Sequence, residues 1–118
     1  MKIALPTDDL ITISESLVNA NWFKVFEFQT EYITCEAVFK NPICEAGSVS
    51  MPGYLKQLEK LLYDCDALVL HQNDPIESKS FMHCSFKEVR SDEAIITNAA
   101  IDHNNRLVYY YSNRCCSP

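Results

Sequence analysis

A few side chains of this chain combine a type and a position that suit ligand binding. Cys44 lies in a long loop, where a thiol can meet a ligand but where ordinary surface thiols also occur. His71 ends a predicted buried strand, at the edge where open α/β sheets place ligands, and a half-exposed histidine without a role fits there equally well. Asp8 and Asp9 follow the first predicted strand and could hold a divalent ion, although turn formation also explains them. Ser14 could contact a ligand or simply begin a turn.

The other cysteines and histidines give weaker signals. Cys115 and Cys116 are adjacent near the C-terminus, and neighbouring thiolates can share a soft metal. Their spacing is not C-x-x-C and no second pair is present, so a frayed tail explains them better than a closed zinc site. Cys35 and Cys65 are predicted to be small core residues, and Cys84 is ambiguous. His83 and His103 are predicted to be exposed to solvent.

Composition limits the classes of function. The 118 residues suit one domain, and 47% hydrophobic residues provide a sizeable core. The net charge of −6 and the scattered basic residues argue against nucleic-acid binding. Two glycines are too few for a phosphate-binding loop. No signal-peptide pattern or membrane span is visible, so we expect a cytoplasmic protein whose six cysteines are thiols.

The elements that must position these residues begin with three predicted strands. "KIAL" reads as a short buried strand that the turn "PTDD" closes. The segment Thr12–Phe28 reads as a polar turn and a short helix that lead into the strand "WFKVFEF". "YITCEAVF" alternates next, with Ile33, Cys35, Ala37 and Phe39 expected on one face. The two alternating segments predict a hairpin.

Helices and parallel strands are predicted to follow. Residues 53–65 have helical apolar spacing, with Pro52 in the first turn, and the unbroken run "ALVLH" predicts a doubly covered parallel strand. "DPIE" predicts a capping box at Asp74 and a short helix that ends near Cys84. "FKEV" predicts another strand, and Ser91 is expected to cap the last helix. We therefore predict one α/β domain over 1–104 with a mixed sheet, and a tail over 105–118.

Several ordered pieces of the chain resemble the dinitrogenase iron-molybdenum cofactor biosynthesis family, which is related to nitrogenase cofactor carriers. They span about residues 1–101 and are "MKIALPTDD", "IS" at 13–14, Ala20 and Phe23, "NP" at 41–42, "P-x-Y-L" at 52–55 and "DCDALVL" at 64–70. The resemblance implies a ribonuclease-H-like α/β/α fold with a mixed five-stranded sheet.

The chain departs from the family pattern where the family's ligand chemistry lies. After "IS" relatives usually carry an acidic residue and then His-Phe-Gly-Arg; Glu15 matches, but Ser16, Leu17, Val18 and Asn19 replace the other four. This removes an imidazole that can ligate iron and a guanidinium that can pair with an anionic cluster. The Gly-rich turn of relatives after the "ALVL" strand is "HQND" here.

The resemblance implies a non-enzymatic carrier of a metal or of an iron–sulfur or iron–molybdenum cofactor. Cys44, His71 and Asp8, with Ser14 nearby, would then replace the lost histidine, the first two as metal ligands. Because two protein ligands hold a metal weakly, the cofactor would bring its own sulfides or a second subunit would contribute.

Two other interpretations stay open. The chain could be an interaction module that kept the fold and lost the ligand site, pairing with itself or a partner through Tyr109, Tyr110 and Tyr111. A ribonuclease-H-like fold also invites a metal-dependent nuclease with Asp8, Glu27 and Asp64 as carboxylates. An acidic chain lacks a basic substrate track, and no Ser-His-Asp order is present, so we expect no enzymatic activity.

Overall fold

The computed structural model describes residues 1–29, 33–42, 50–102 and 104–105 as an α/β structure with one mixed sheet. Along the chain, its elements are β1 (Lys2–Thr7), β2 (Trp22–Phe28), β3 (Ile33–Lys40), α1 (Met51–Leu61), β4 (Ala67–His71), a 3₁₀ helix (Ser78–Phe81), β5 (Lys87–Ser91) and α2 (helical residues 96–102). The strand order is β3-β2-β1-β4-β5. The mixed sheet is thus confirmed. No helix in these ranges is long and apolar enough to span a membrane.

Strand β1 lies at the centre of the sheet. It pairs antiparallel with β2 and parallel with β4, where Ile3 and Ala4 lie beside Ala67 and Leu68. The prediction that Pro6 closes this strand was wrong, because β1 continues to Thr7. Proline is tolerated there because the pairing with β4 has already ended, so its missing N–H leaves no ladder bond unmade.

Each face of the sheet carries an apolar cluster. On one face, Tyr54, Leu58 and Leu62 pack onto the strands and are fully buried. On the other face, Ile96, Ala99 and Ala100 of α2 join Ile3, Leu5, Ala67 and Val69. Alternate residues of β1 and β4 point to opposite clusters, so both strands are covered on both sides, as the apolar run of β4 predicted.

A β-bulge changes the faces of β3. Val25 lies opposite Ala37, whereas Phe26 lies opposite Cys35, so position 36 is an extra residue in β3. The predicted common face of Ile33 and Phe39 was therefore wrong: Phe39 packs against one apolar cluster and Ile33 against the other. One inserted residue reverses a period-two alternation.

The predicted α1 is confirmed, with shifted ends. It begins at Met51, where the hydroxyl of Ser50 accepts the N–H of Gly53, and Leu62 caps its end. Leu58 and Leu62 are buried, and Leu55 is half-buried against the same cluster. Cys65 was expected on the helix, but it follows the helix end and is buried all the same.

Three helix predictions were wrong in type or position. Residues 17–19 form a turn and no helix. The expected helix at Asp74 is a 3₁₀ turn over Ser78–Phe81 without a side-chain cap. Ser91 ends β5, and α2 starts at residue 96, after a bridge between Thr12 and Ile95. At Asp74, a long-range bond from Leu17 takes the carboxylate that the local pattern assigned to a cap, whereas the Ser91 hydroxyl accepts the N–H of nearby Glu93.

Candidate functional site

The carboxyl edge of the sheet, where β1, β4 and β5 end, is organised around the backbone of Leu17. The Leu17 N–H donates to Asp74 Oδ2 at 2.7 Å, and the Leu17 carbonyl accepts from Asn41 Nδ2 at 2.8 Å. Asn41 Nδ2 also donates to the Ala20 carbonyl at 2.8 Å. Asp74 follows β4 and Asn41 follows β3, so these bonds join the loops after three strands. Asn41, Asp74 and the Leu17 side chain are all buried.

Buried polar groups need such partners. An unpaired backbone N–H or carbonyl away from water costs about 1–3 kcal/mol, so Asp74 and Asn41 stabilise the turn at 17–20 by satisfying it. The Asp74 carboxylate also accepts the N–H of Ile76 at 3.0 Å. This bond fixes the loop that carries Asp74 as well as the turn that it contacts.

Arg90 holds the loop after β4 from the β5 side. Its guanidinium donates to the carbonyls of Asp74 at 2.8 Å and Ile76 at 2.6 Å. Its Nε donates to Glu88, which orients it. Several donors in one rigid plane let arginine fix several carbonyls at once. The loop therefore has a set conformation without containing a glycine.

His71 lies at the end of β4, as predicted, and its ring caps the following turn. Nδ1 accepts the N–H of Asn73 at 3.0 Å. In the neutral ring, an accepting Nδ1 leaves the proton on Nε2. The imidazole in this conformation therefore presents a hydrogen-bond donor, and a metal at Nε2 would have to displace that proton.

Asp8 and Ser14 flank the same edge. Ile3 lies beside Ala67 and Ala4 beside Leu68, and the same register places Thr7 at the height of His71 along the sheet. Asp8 therefore follows one residue beyond the end of β4. Asp8 is exposed, and its Oδ1 accepts the N–H of Asn21 at 3.0 Å. The Ser14 hydroxyl donates to the Ser16 carbonyl at 3.0 Å and accepts the Ser16 N–H at 3.3 Å. Ser14 thus serves the local turn, and the bond of Asp8 to Asn21 uses one of its two carboxylate oxygens.

Asp9 builds the turn after β1. Its carboxylate accepts the N–H groups of Thr12 at 2.7 Å and Ile11 at 2.9 Å, and the Thr12 hydroxyl also donates to it. These bonds favour the ionised form, the Thr12 backbone bond most, and lower the pKa of Asp9 from 3.8 to about 2. Buried Thr7 completes the turn by donating to the Thr12 carbonyl at 2.6 Å. Turn formation is thus the role that the contacts of Asp9 support.

The predicted site residues are brought together only in part. At the carboxyl edge, His71 ends β4, and Asp8 and Ser14 lie in the loop after β1. The other predicted residues fall outside the described ranges: Cys44, His103, Tyr109, Tyr110, Tyr111, Cys115 and Cys116. Within the described ranges, no three His, Cys, Asp or Glu side chains are placed to hold a metal ion.

The carboxylates of the nuclease alternative lie at opposite ends of β1. Glu27 and Asp64 both pair with the Lys2 ammonium, at 3.8 and 2.7 Å, where β1 begins. Asp8 follows the far end of this six-residue strand. With a rise of about 3.3 Å per residue, the separation is roughly 20 Å, too far for one metal site. The structure does not bring the three together.

The described thiols are poorly suited to bind metal as they stand. Burial raises the pKa of Cys65 to about 12, and the neighbouring Asp64 carboxylate adds to the rise. Burial also raises the pKa of half-buried Cys84, with a contribution from Glu59. Since the thiolate is the form that binds metals, a raised pKa disfavours metal binding by either thiol as it stands. The burial of Cys65 agrees with its core assignment, and Cys84 packs half-buried against the same apolar cluster.

A groove of about 410 Å³ lies away from the carboxyl edge. It is lined by four residues of the α1 region and by Ser85: Lys56, Glu59, Lys60 and Tyr63. Glu59 accepts the N–H of Ser85 at 3.1 Å, which joins the two walls. None of the predicted site residues lines this groove.

Sequence reasoning missed the residues that organise the edge. Asp74 was taken as a helix cap because Pro75 and Glu77 complete that pattern, and Asn41 was noted only as part of the family resemblance. One signal was present: each follows a predicted strand, at the end that faces the candidate loops. Their partner, Leu17, lies 57 and 24 residues away in the chain and carries no signal of its own.

Comparison with known proteins shows the fold alone. The chain is similar to the crystal structure of PH0822, with a TM-score of 0.55, 14% identity, and coverage of 76% of this chain and 78% of that one. No family profile and no curated protein matches the sequence.

Proposed function

We propose that this chain is a non-enzymatic carrier of a metal–sulfur cofactor, in the ribonuclease-H-like fold that the resemblance to the dinitrogenase iron-molybdenum cofactor biosynthesis family implies. The cofactor would bind at the carboxyl edge. A cytoplasmic setting, where thiols stay reduced, suits this function.

The bonds at Leu17 are the observation that carries the proposal. They join the loops after β1, β3 and β4. Asp8 follows β1, His71 ends β4, and Cys44 comes shortly after Asn41 in the sequence. Binding sites need loops held in place before the ligand arrives, because ordering them later costs affinity. Satisfied, buried hydrogen bonds provide that order here.

The residues at the edge suit a cluster with its own sulfides better than a bare ion. No three ligating side chains of the described ranges converge there. His71 presents Nε2–H, which can donate to a sulfide or an oxyanion, and Asp8 has an oxygen beyond its bond to Asn21. The His71 donor could tune and orient a cluster that thiolates bind, whereas the Asp8 carboxylate could only accept a hydrogen bond or bind a metal. We assign metal binding to the Cys44 thiolate and hydrogen bonding to His71, with its direct ligation as the alternative.

Reconstitution tests the proposal. Protein purified without oxygen is incubated with ferrous iron, sulfide and thiol, desalted, and analysed for bound iron and visible absorption. The wild type is expected to retain iron and a charge-transfer band, and Cys44→Ser with His71→Ala to lose both. Cys84→Ser with His83→Ala removes a thiol and an imidazole away from this edge and is the matched control.

The single variants separate ligation from hydrogen bonding. His71→Gln keeps a side-chain donor, so we expect the cluster to bind with a shifted spectrum; complete loss of iron would favour direct ligation. Undiminished binding in the double variant would move the site elsewhere, with Cys115 and Cys116 as the next residues to change. A wild type that stays colourless and iron-free contradicts the carrier function.

An interaction module is the second candidate. The side chain of Leu17 fills the core, and both its backbone polar groups are paired, where the resembled family carries its ligand segment. A chain whose corresponding segment is buried and fully hydrogen-bonded would bind a partner protein through its surface and would not bind a cofactor there. Failure of reconstitution would make this the better interpretation.

A further inference from the structure

On one side of the sheet, the exposure of the side chains rises from the central strand towards β3. Leu5 of β1 lies opposite Lys24 of β2, which in turn lies opposite Val38 of β3. Residues directly opposite each other in neighbouring strands point to the same side of the sheet. Along this row, Leu5 is fully buried, Lys24 is half-buried and Val38 is 42% exposed. The cover over the centre of the sheet therefore ends before β3.

The next row shows the same rise in exposure. Buried Thr7 lies opposite half-buried Trp22, which lies opposite exposed Lys40. Trp22 and Lys24 are two residues apart in β2, as are Val38 and Lys40 in β3, and the β-bulge lies outside this part of the ladder. Alternation therefore keeps these four side chains on one side of the sheet. We name Trp22, Lys24, Val38 and Lys40 the β2–β3 face.

Trp22 and Val38 are apolar side chains outside the core. Neither apolar cluster of the described residues includes them. They are diagonal neighbours on the two strands, a separation of about 7–8 Å that an aromatic side chain can bridge. A single exposed valine is ordinary, whereas tryptophan is enriched at the energetic centres of protein interfaces. The pair therefore forms an apolar centre that a partner can cover.

Lys24 adds a positive charge to this apolar centre. Its Nζ donates to the Leu10 carbonyl at 3.3 Å and lies 5.4 Å from the centroid of the Phe26 ring. No carboxylate within the described ranges pairs with it. Asp8 brings one negative charge to the end of the face, where it accepts the N–H of Asn21. Because an ammonium has three donors, Lys24 can still bind a carboxylate from outside.

We propose that the β2–β3 face docks an acidic, amphipathic segment of a partner protein. Apolar side chains of the segment would cover Trp22 and Val38, while a glutamate or aspartate would pair with Lys24. Charge complementarity selects this occupant: a basic segment, or a second copy placed face to face, would bring like charges together. The net charge of −6 does not prevent docking, because exposed charges more than about 8 Å away are largely screened at physiological ionic strength. This interaction does not depend on the cofactor.

A designed peptide tests the proposal, with Trp22 as the reporter because it is the only tryptophan of the chain. The probe is a short synthetic helix without tryptophan or tyrosine, with leucines along one face and glutamates on both sides of it. We expect a saturable shift of the Trp22 emission to shorter wavelength, since the peptide excludes water from the indole. Amide NMR shifts should cluster at residues 22–25 and 37–40, and binding should weaken in high salt. A second peptide with lysines in place of the glutamates is expected not to bind.

The variant for this test changes one opposed pair of the two strands. Val38→Thr keeps a β-branched side chain in β3, and Lys24→Gln keeps a donor for the Leu10 carbonyl, so the thermal midpoint should hardly change. We expect the double variant to bind the glutamate peptide about tenfold or more weakly. Lys56→Gln with Tyr63→Thr is the matched control, because it removes the same charge and one exposed large side chain at the groove along α1. The control should bind like the wild type.

The proposal is overturned by no binding of the glutamate peptide, equal binding of the lysine peptide, undiminished binding by the double variant, an equal loss in the control, or shifts centred on other residues. Self-association that sedimentation detects and the double variant abolishes would also overturn it, since a second copy would then be the occupant. Iron uptake by the double variant should equal that of the wild type, which separates this test from the carrier test.

Discussion

The two edges of the sheet use charged and polar side chains in different ways. At the carboxyl edge, Asp74 and Asn41 are buried, and each bonds to the backbone of Leu17. At the amino edge, where β1 and β4 begin, Lys2 pairs with Asp64 and Glu27, and the three side chains are 25%, 43% and 26% exposed. Both edges hold together segments that are far apart in the chain.

The two edges differ in how much it costs to break their contacts, because the groups left without a partner are exposed at one edge and buried at the other. Water can take over either partner of an exposed ion pair, so such a pair contributes about 0–1 kcal/mol. A buried N–H that loses its acceptor has no replacement. The carboxyl edge is thus held in one geometry, whereas the amino edge tolerates rearrangement, and this makes the carboxyl edge the better place for a binding site.

The largest loss of stability is expected from a truncation in the apolar layer between the two edges. It gives a reference value against which the costs at the edges can be compared. Leu58→Ala removes a fully buried side chain and should lower the free energy of unfolding by about 2–5 kcal/mol. Urea denaturation measures it. Leu55→Ala, at a half-buried position of α1, should cost less; a Leu58→Ala cost below about 0.5 kcal/mol, typical of surface sites, would show that the helix packs differently.

An intermediate effect is expected at the carboxyl edge. Asp74→Ala leaves the Leu17 N–H buried without its acceptor and should cost about 1–3 kcal/mol in urea denaturation. Asp64→Ala is the matched control at the amino edge, with an expected cost of about 0–1 kcal/mol that shrinks further in high salt. Equal costs for the two aspartates would erase the difference between the edges.

The smallest effect concerns the exposed turn beside the carboxyl edge and is read as a pKa. NMR titration of the side-chain carboxyl should give Asp9 a pKa of about 2, and Thr12→Ala should raise it part of the way to 3.8, since the Thr12 backbone bond remains. Because the folded-state pKa is the lower one, the stabilisation by Asp9 is present above pH 3.8 and is lost as pH falls towards 2. An Asp9 pKa near 3.8 in the wild type would show that the turn is open in solution.

Local patterns predicted the parts of the fold that local forces determine. The spacing of Leu58 and Leu62 identified α1, and the unbroken run Ala67–His71 identified a buried parallel strand. The strand topology then placed His71 at the carboxyl edge. The bulge in β3 had no such signal, because the extra residue at position 36 is fixed by pairing with β2.

The candidate site was harder to predict because its bonds are long-range. Asp74, Pro75 and Glu77 match a helix start, yet the Asp74 carboxylate bonds to Leu17 and not to a third helical residue. For His71 the sequence leaves open a ligand or a capped, half-exposed histidine, and in the structure its Nδ1 accepts the N–H of Asn73. The sequence could not identify the hydrogen-bond partner of Asp74 or of His71. Groups that compete for the same hydrogen bond differ only in where the fold places them.

The paired backbone of Leu17 also determines how the loops can open. An amide in a surface turn normally exchanges its hydrogen with water quickly, but the Leu17 hydrogen can exchange only after Asp74 releases it. That release uncouples the turn at 17–20 from the segment after β4, although 57 residues separate Leu17 from Asp74 in the chain. Exchange at this one amide therefore reports the separation of the two segments, while Asn41 still holds the turn and Arg90 still holds the loop.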